Sequence, residues 1–99
     1  MVKHVIIWKL KEMSAEETVQ HKQFIKEGLE NLRGKIDGLV DIRVITELLP
    51  TSTGDLMLDS TFTDAAALKN YSVHPEHVRV ADECVRPFVA DRKCVDFEI

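Results

Sequence analysis

The segment Val2–Glu17, VKHVIIWKLKEMSAEE, decides how the rest of the chain is read. Its first ten residues are rich in β-branched side chains and read as a strand from Val2 to Lys11. One parity holds His4, Ile6, Trp8 and Leu10. The other holds Lys3, Val5, Ile7 and Lys9. Large apolar residues stand on both faces, so both faces are expected to be covered. Ser14 follows, with Glu17 three residues later. That is a capping box, in which each residue satisfies a backbone N–H of the other, and it predicts a helix from about Ala15.

Working outward, the helix has an apolar stripe of Val19, Ile25, Leu29, Leu32 and Ile36, with Phe24 on its shoulder. Gly28 inside it costs about 1 kcal/mol relative to alanine, which implies that something packs close there. Gly34 and Gly38 bracket the helix exit. A second strand is read over Leu39–Leu48 and a third over Leu56–Phe62, separated by the turn LLPTSTGD. TDAAALKNY opens a second helix, capped by Thr63 or Asp64. A further helical piece covers Glu76–Val85, and Cys94–Ile99 closes the chain as the last strand. The order β-α-β-β-α-β is that of the ferredoxin-like α+β fold, a four-stranded antiparallel sheet with its helices on one face. The other face then carries Val5, Ile7, Ile45 and Met57. That patch is too apolar for a solvated monomer, and a second copy of the same sheet is the simplest cover.

The chain has 99 residues, the size of one domain spanning 1–99. A net charge of -4 with no basic block argues against nucleic acid or an anionic membrane as partner. No apolar run is long enough to span a bilayer, and Lys9, Lys11 and Glu12 interrupt the only stretch that resembles a leader. Two cysteines, Cys84 and Cys94, without metal-type spacing fit free thiols in a cytoplasmic protein.

The chemistry concentrates in YSVHPEHV, Tyr71–Val78. Pro75 pushes His74 out of the helical region and suits the first position of the helix that follows. His77 then lies in a first helical turn, and Tyr71 is expected to approach it across the kink within hydrogen-bond reach, as an acid–base pair. His4 starts the first strand. In the expected topology the end of the last strand lies beside it, so Asp96 is placed to orient the His4 imidazole. The competing reading of His77 is a histidine that hydrogen-bonds the core. His74 reads as a hinge, His21 as solvated, Arg86 as a structural ion-pair residue, and the cysteines as packing residues.

These blocks resemble the stress-responsive α/β-barrel domain proteins. The resemblance rests on VKHVIIWKLK, YSVHPEHV and VRPFVADRKCVDFE, and covers nearly the whole chain. It implies a ferredoxin-like subunit that dimerises sheet to sheet into a dimeric α/β-barrel. One plant branch of that family resembles polyketide cyclases, which close a poly-β-keto thioester into an aromatic acid without a cofactor. The residues that act there match His4, Tyr71 and His77, and the terminal-strand aspartate matches Asp96. The chain departs from that branch in two ways. Ile25 and Leu29 stand where the helix carries aromatic groups, and Trp8 replaces a smaller aliphatic residue, so a smaller cavity is implied. Some plant members hold magnesium with backbone carbonyls in the region similar to Arg33–Leu39.

The expectation is therefore a homodimer that binds a small organic ligand, with cofactor-free cyclase or isomerase chemistry at His77, Tyr71, His4 and Asp96. Ile6, Trp8, Ile25, Leu29 and Leu58 are expected to line the ligand space, and neither metal nor cofactor is expected. Two alternatives come from other classes. One is a non-enzymatic stress or interaction protein; the other is a cofactor-free monooxygenase, which rests on fold analogy alone.

Overall fold

A computed structural model describes residues 1–99. The chain forms β1 (Val2–Leu10), α1 (Ala15–Glu30), β2 (Leu39–Ile45), β3 (Leu56–Phe62), α2 (Ala65–Val73), α3 (Pro75–Val80) and β4 (Val89–Glu98). Between α3 and β4 the chain passes through a π-helical turn, Ala81–Val85, and a 3₁₀ turn, Arg86–Phe88. The strands make one antiparallel sheet in the order β2-β3-β1-β4. This is the ferredoxin-like α+β fold. No helix is long and apolar enough to cross a membrane.

Ser14 and Glu17 form the expected capping box at the start of α1. The buried stripe of α1 is Ile25 and Leu29, continued by Leu32 and Ile36 in the turns after the helix. Val19 is 69% exposed and does not belong to it. Traced back from Ile25 at helical spacing, the stripe passes through His21 and Thr18, both partly buried, which leaves Val19 about 100° round the helix. His21 is not free in solvent either. Its ring stacks on Phe88 with centroids 3.9 Å apart, which fastens α1 to the turn before β4.

Gly28 is the point of closest approach. A Cβ there would lie 3.2 Å from both Cys84 Sγ and Val80 Cγ1, so the missing side chain lets α3 and the π-turn pack against α1. Gly38 takes φ 83°, which permits the turn into β2.

β2 is an edge strand, and its outward backbone groups are taken by α1 and the turn that follows it. Glu30 accepts the Val44 N–H at 2.9 Å, and Lys26 donates to the Val44 carbonyl at 2.9 Å. Lys22 and Arg33 donate to the carbonyls of Thr46 and Ile42. These bonds close one edge of the sheet to further pairing. β4, at the other edge, begins at Val89 and not at Cys94. Its polar run Asp91-Arg92-Lys93 hides the alternation, and a register shift between Lys9 and Leu10 brings Val89 opposite Leu10. β2 ends at Ile45, earlier than expected.

The core lies between the sheet and the helices. Ile6, Trp8, Ile42, Val44, Leu56, Leu58 and Phe62 supply the sheet side. On the opposite face Val5, Ile7, Ile45 and Met57 are joined by Val95 and Phe97, which are 58% and 46% exposed. A charged cluster flanks them, with Lys3 2.7 Å from Asp59 and Arg43 reaching the same carboxylate.

Candidate active site

A cavity of about 580 Å³ opens between the sheet, the end of α1, α2 and the turns before β4. That is within the usual range for small-molecule sites, roughly 300–1,000 Å³. β1 contributes His4, Ile6 and Trp8 to its wall, β3 contributes Leu58, and α1 contributes Leu29. Tyr71 and His77 line it from the two sides of the proline kink. Ile25 does not line it. It is fully buried one helical turn before Leu29, inside the closed part of the core.

The kink has the expected form. His74 sits at φ -65°, ψ 132°, outside the helical region, and is the N-cap of α3. Its Nδ1 accepts the Glu76 N–H at 3.1 Å, so this ring is spent on capping. The consequence for Tyr71 and His77 differs from expectation. Their rings lie face against face, with centroids 4.1 Å apart and planes inclined at 33°, and no hydrogen bond joins them. The short kink folds α3 back on the last turn of α2, so the two rings meet by their faces.

Each polar atom of this pair has a definite state. His77 Nδ1 donates to the Ser72 carbonyl at 3.4 Å, which leaves the Nε2 lone pair available. Burial holds the His77 imidazole below its ordinary range. The Ser72 carbonyl opposes that shift, and the positive charges of Arg86 and Arg92 add to it. Tyr71 is 1% exposed, and its hydroxyl is buried with no hydrogen-bond partner. Burial pushes the phenol well above its ordinary range, so it keeps its proton and is a donor. An unpartnered buried hydroxyl costs about 1–3 kcal/mol, which is unusual in a native core.

His4 and Asp96 are direct cross-strand partners on β1 and β4. His4 Nδ1 donates to Asp96 Oδ1 at 2.5 Å, which fixes the orientation of the ring. The ring edge packs against Tyr71 and Phe62, with centroids 6.1 and 6.3 Å away. Below His4, the Ser60 hydroxyl donates to its carbonyl at 2.8 Å. Cys94 Sγ lies 3.7 Å from His4 Nδ1 and 3.5 Å from Asp96 Oδ1. These three donors lie within 4.8 Å of one another. Nδ1 and Oδ1 are bonded to each other, closer than the ~3.3 Å that separates two ligands of one tetrahedral zinc ion.

The model of the stress-responsive A/B barrel domain matches residues 2–99. The chain belongs to that family. Among solved structures, a dimeric protein of unknown function with a ferredoxin-like fold from Bacteroides fragilis is 32% identical, with a TM-score of 0.90 over 99% of this chain and 95% of that one. A family member from Mesorhizobium loti is 19% identical, with a TM-score of 0.76 over 99% and 95% of the two chains. The hydroxynitrile lyase of Passiflora edulis is 20% identical, with a TM-score of 0.78 over 99% and 92%. The last two likenesses concern the fold. No curated protein sequence matches the chain.

Sequence reasoning missed the β4 side of this barrel-domain cavity. Val89, Ala90, Asp91 and Arg92 all line it, as do Val85 and Arg86. Starting the last strand at Cys94 left the first four outside the sheet. Arg86 does pair with Asp82 through an i,i+4 contact, as expected, and lines the cavity as well.

Proposed function

We propose that the protein is a homodimer joined through the outer sheet face, and that each subunit binds a small enolisable carbonyl compound and moves the proton beside its carbonyl. The dimer reading is supported by the exposed Val95, Phe97 and Ile7, and by the description of the Bacteroides fragilis relative as dimeric. The enzymatic reading is carried by one observation: Tyr71 presents a buried, unpartnered hydroxyl against His77, beside a cavity of ligand size.

The step follows from the states of these groups. Nε2 of neutral His77 takes a proton from the carbon next to the carbonyl. The C–H electron pair forms a carbon–carbon double bond, and the carbonyl π pair moves onto oxygen. Tyr71 donates its hydrogen bond to that oxygen as the charge develops, and so gains the partner it lacks in the free protein. His4, held by Asp96, offers Nε2 to a hydroxyl or enol on the same ligand. The enolate carbon then attacks a second carbonyl of the same molecule, whose π pair becomes an alkoxide that takes the proton from the His77 imidazolium, or, where a carbon–carbon double bond extends the enolate, the imidazolium reprotonates it at the far carbon. The first outcome is cyclisation and the second isomerisation. No redox partner is required for either.

The test is hydrogen–deuterium exchange at the central carbon of benzoylacetone, followed by NMR. The wild-type protein is expected to accelerate it, and His77→Ala to lose roughly 10²–10⁴-fold, the usual contribution of a general base. Exchange at the uncatalysed rate with wild-type protein, despite bound ligand, favours a binding protein without this activity.

A further inference from the structure

One charge on the cavity wall takes no part in that chemistry. Arg92 is the cross-strand partner of Trp8, so its side chain leaves β4 on the helix side of the sheet, where it lines the cavity. The charged groups around it are already engaged. Asp91 holds Lys93 at 2.8 Å, Arg86 holds Asp82, and Asp96 accepts from His4. No carboxylate lies within ion-pair distance of the Arg92 guanidinium, although the chain as a whole carries a net charge of -4. The guanidinium is near enough to both Tyr71 and His77 for its charge to act on their ionisation. The rest of the lining is mainly apolar, with Ile6, Trp8, Leu29 and Leu58 as flat or branched walls.

We propose that the ligand is an anion: a largely apolar, enolisable dicarbonyl compound ending in a carboxylate, which Arg92 receives while Tyr71 takes a carbonyl oxygen. This rests on the enolisation reading and adds the substrate class to it. A guanidinium has two parallel N–H donors that match the two oxygens of a carboxylate, so it fixes direction as well as charge. Holding the carboxylate at β4 would point the adjoining carbonyl carbons inward, toward the aromatic pair. Arg92 itself is solvent-accessible, so its effect is expected to be moderate and sensitive to salt.

The probes are benzoylpyruvate and benzoylacetone, which differ only in a carboxylate against a methyl group. Titration calorimetry of the wild-type protein is expected to give benzoylpyruvate the lower Kd by roughly tenfold at low salt, with a narrower gap at high salt. Arg92→Gln is expected to weaken benzoylpyruvate alone and close the gap, and Arg92→Lys to keep part of it. Equal affinities that Arg92→Gln does not change overturn the anionic ligand while leaving the enolisation reading standing. A preference that survives in Arg92→Gln overturns the role of Arg92. Failure of the wild-type protein to bind either probe overturns both readings.

Discussion

The rings of Tyr71 and His77 stack at 4.1 Å without sharing a hydrogen bond. The geometry separates their chemical roles. Were the two hydrogen-bonded, the phenol proton would be committed to the imidazole, and neither group would be ready for a ligand. Stacked, each keeps a free polar atom at its edge. His77 is held by Ser72, and Tyr71 is held only by packing.

The pH dependence of exchange should follow His77. Its base form is the neutral ring, and burial keeps that form present below the ordinary value of 6.5. The rate is expected to be flat around neutrality and to fall in acid, with a midpoint under 6.5. The same shift has a stability consequence. The unfolded chain takes up the proton at higher pH than the folded one, so stability should fall as pH drops through 6.5 toward the folded value. Urea unfolding between pH 5 and 8 checks this, and His77→Gln should flatten the profile.

A charge on the outer sheet face should separate the subunits. Ile7 is 38% exposed in the single subunit, next to Val5 and Met57 on the same face. Ile7→Glu is expected to turn a dimer into a monomer in sedimentation at micromolar concentration, because a buried unpaired charge costs several kcal/mol. A wild-type protein that already sediments as a monomer contradicts the dimer.

Gly28→Val should destabilise the fold by about 1–3 kcal/mol, the usual range for overpacking. Even a bare Cβ at this position stands 3.2 Å from Cys84 and Val80, and the γ-methyls would have to displace both. Gly28→Ala is the informative control. Its gain in helix propensity, about 1 kcal/mol, works against the tight contact, so the net change in unfolding midpoint should be small.

Much of the architecture was legible because local signals agree with one another. The capping box, the Asp64 cap, the proline after His74 and the β3 alternation each mark an element that the structure contains. The placement of Asp96 beside His4 followed from strand order alone. What was not legible depends on tertiary detail. Val19 misleads because an apolar residue near a helix start need not share the phase of the buried stripe. The aromatic contacts of His21 and His77 depend on where the turns at Phe88 and Pro75 place their rings. Arg92 and its neighbours were lost because a charged triplet in an edge strand has no apolar alternation to reveal it.

The most direct test of the account is one substitution read two ways, Tyr71→Phe. It keeps the ring that stacks on His77 and deletes only the hydroxyl. If the hydroxyl waits for a ligand oxygen, its loss removes an unsatisfied buried group. The unfolding midpoint should then be unchanged or higher, while exchange in benzoylacetone falls by roughly 10²–10³-fold, as when an oxyanion donor is deleted. A Tyr71→Phe protein that is less stable than wild type and exchanges the proton just as fast would show that the hydroxyl serves the fold and not the chemistry.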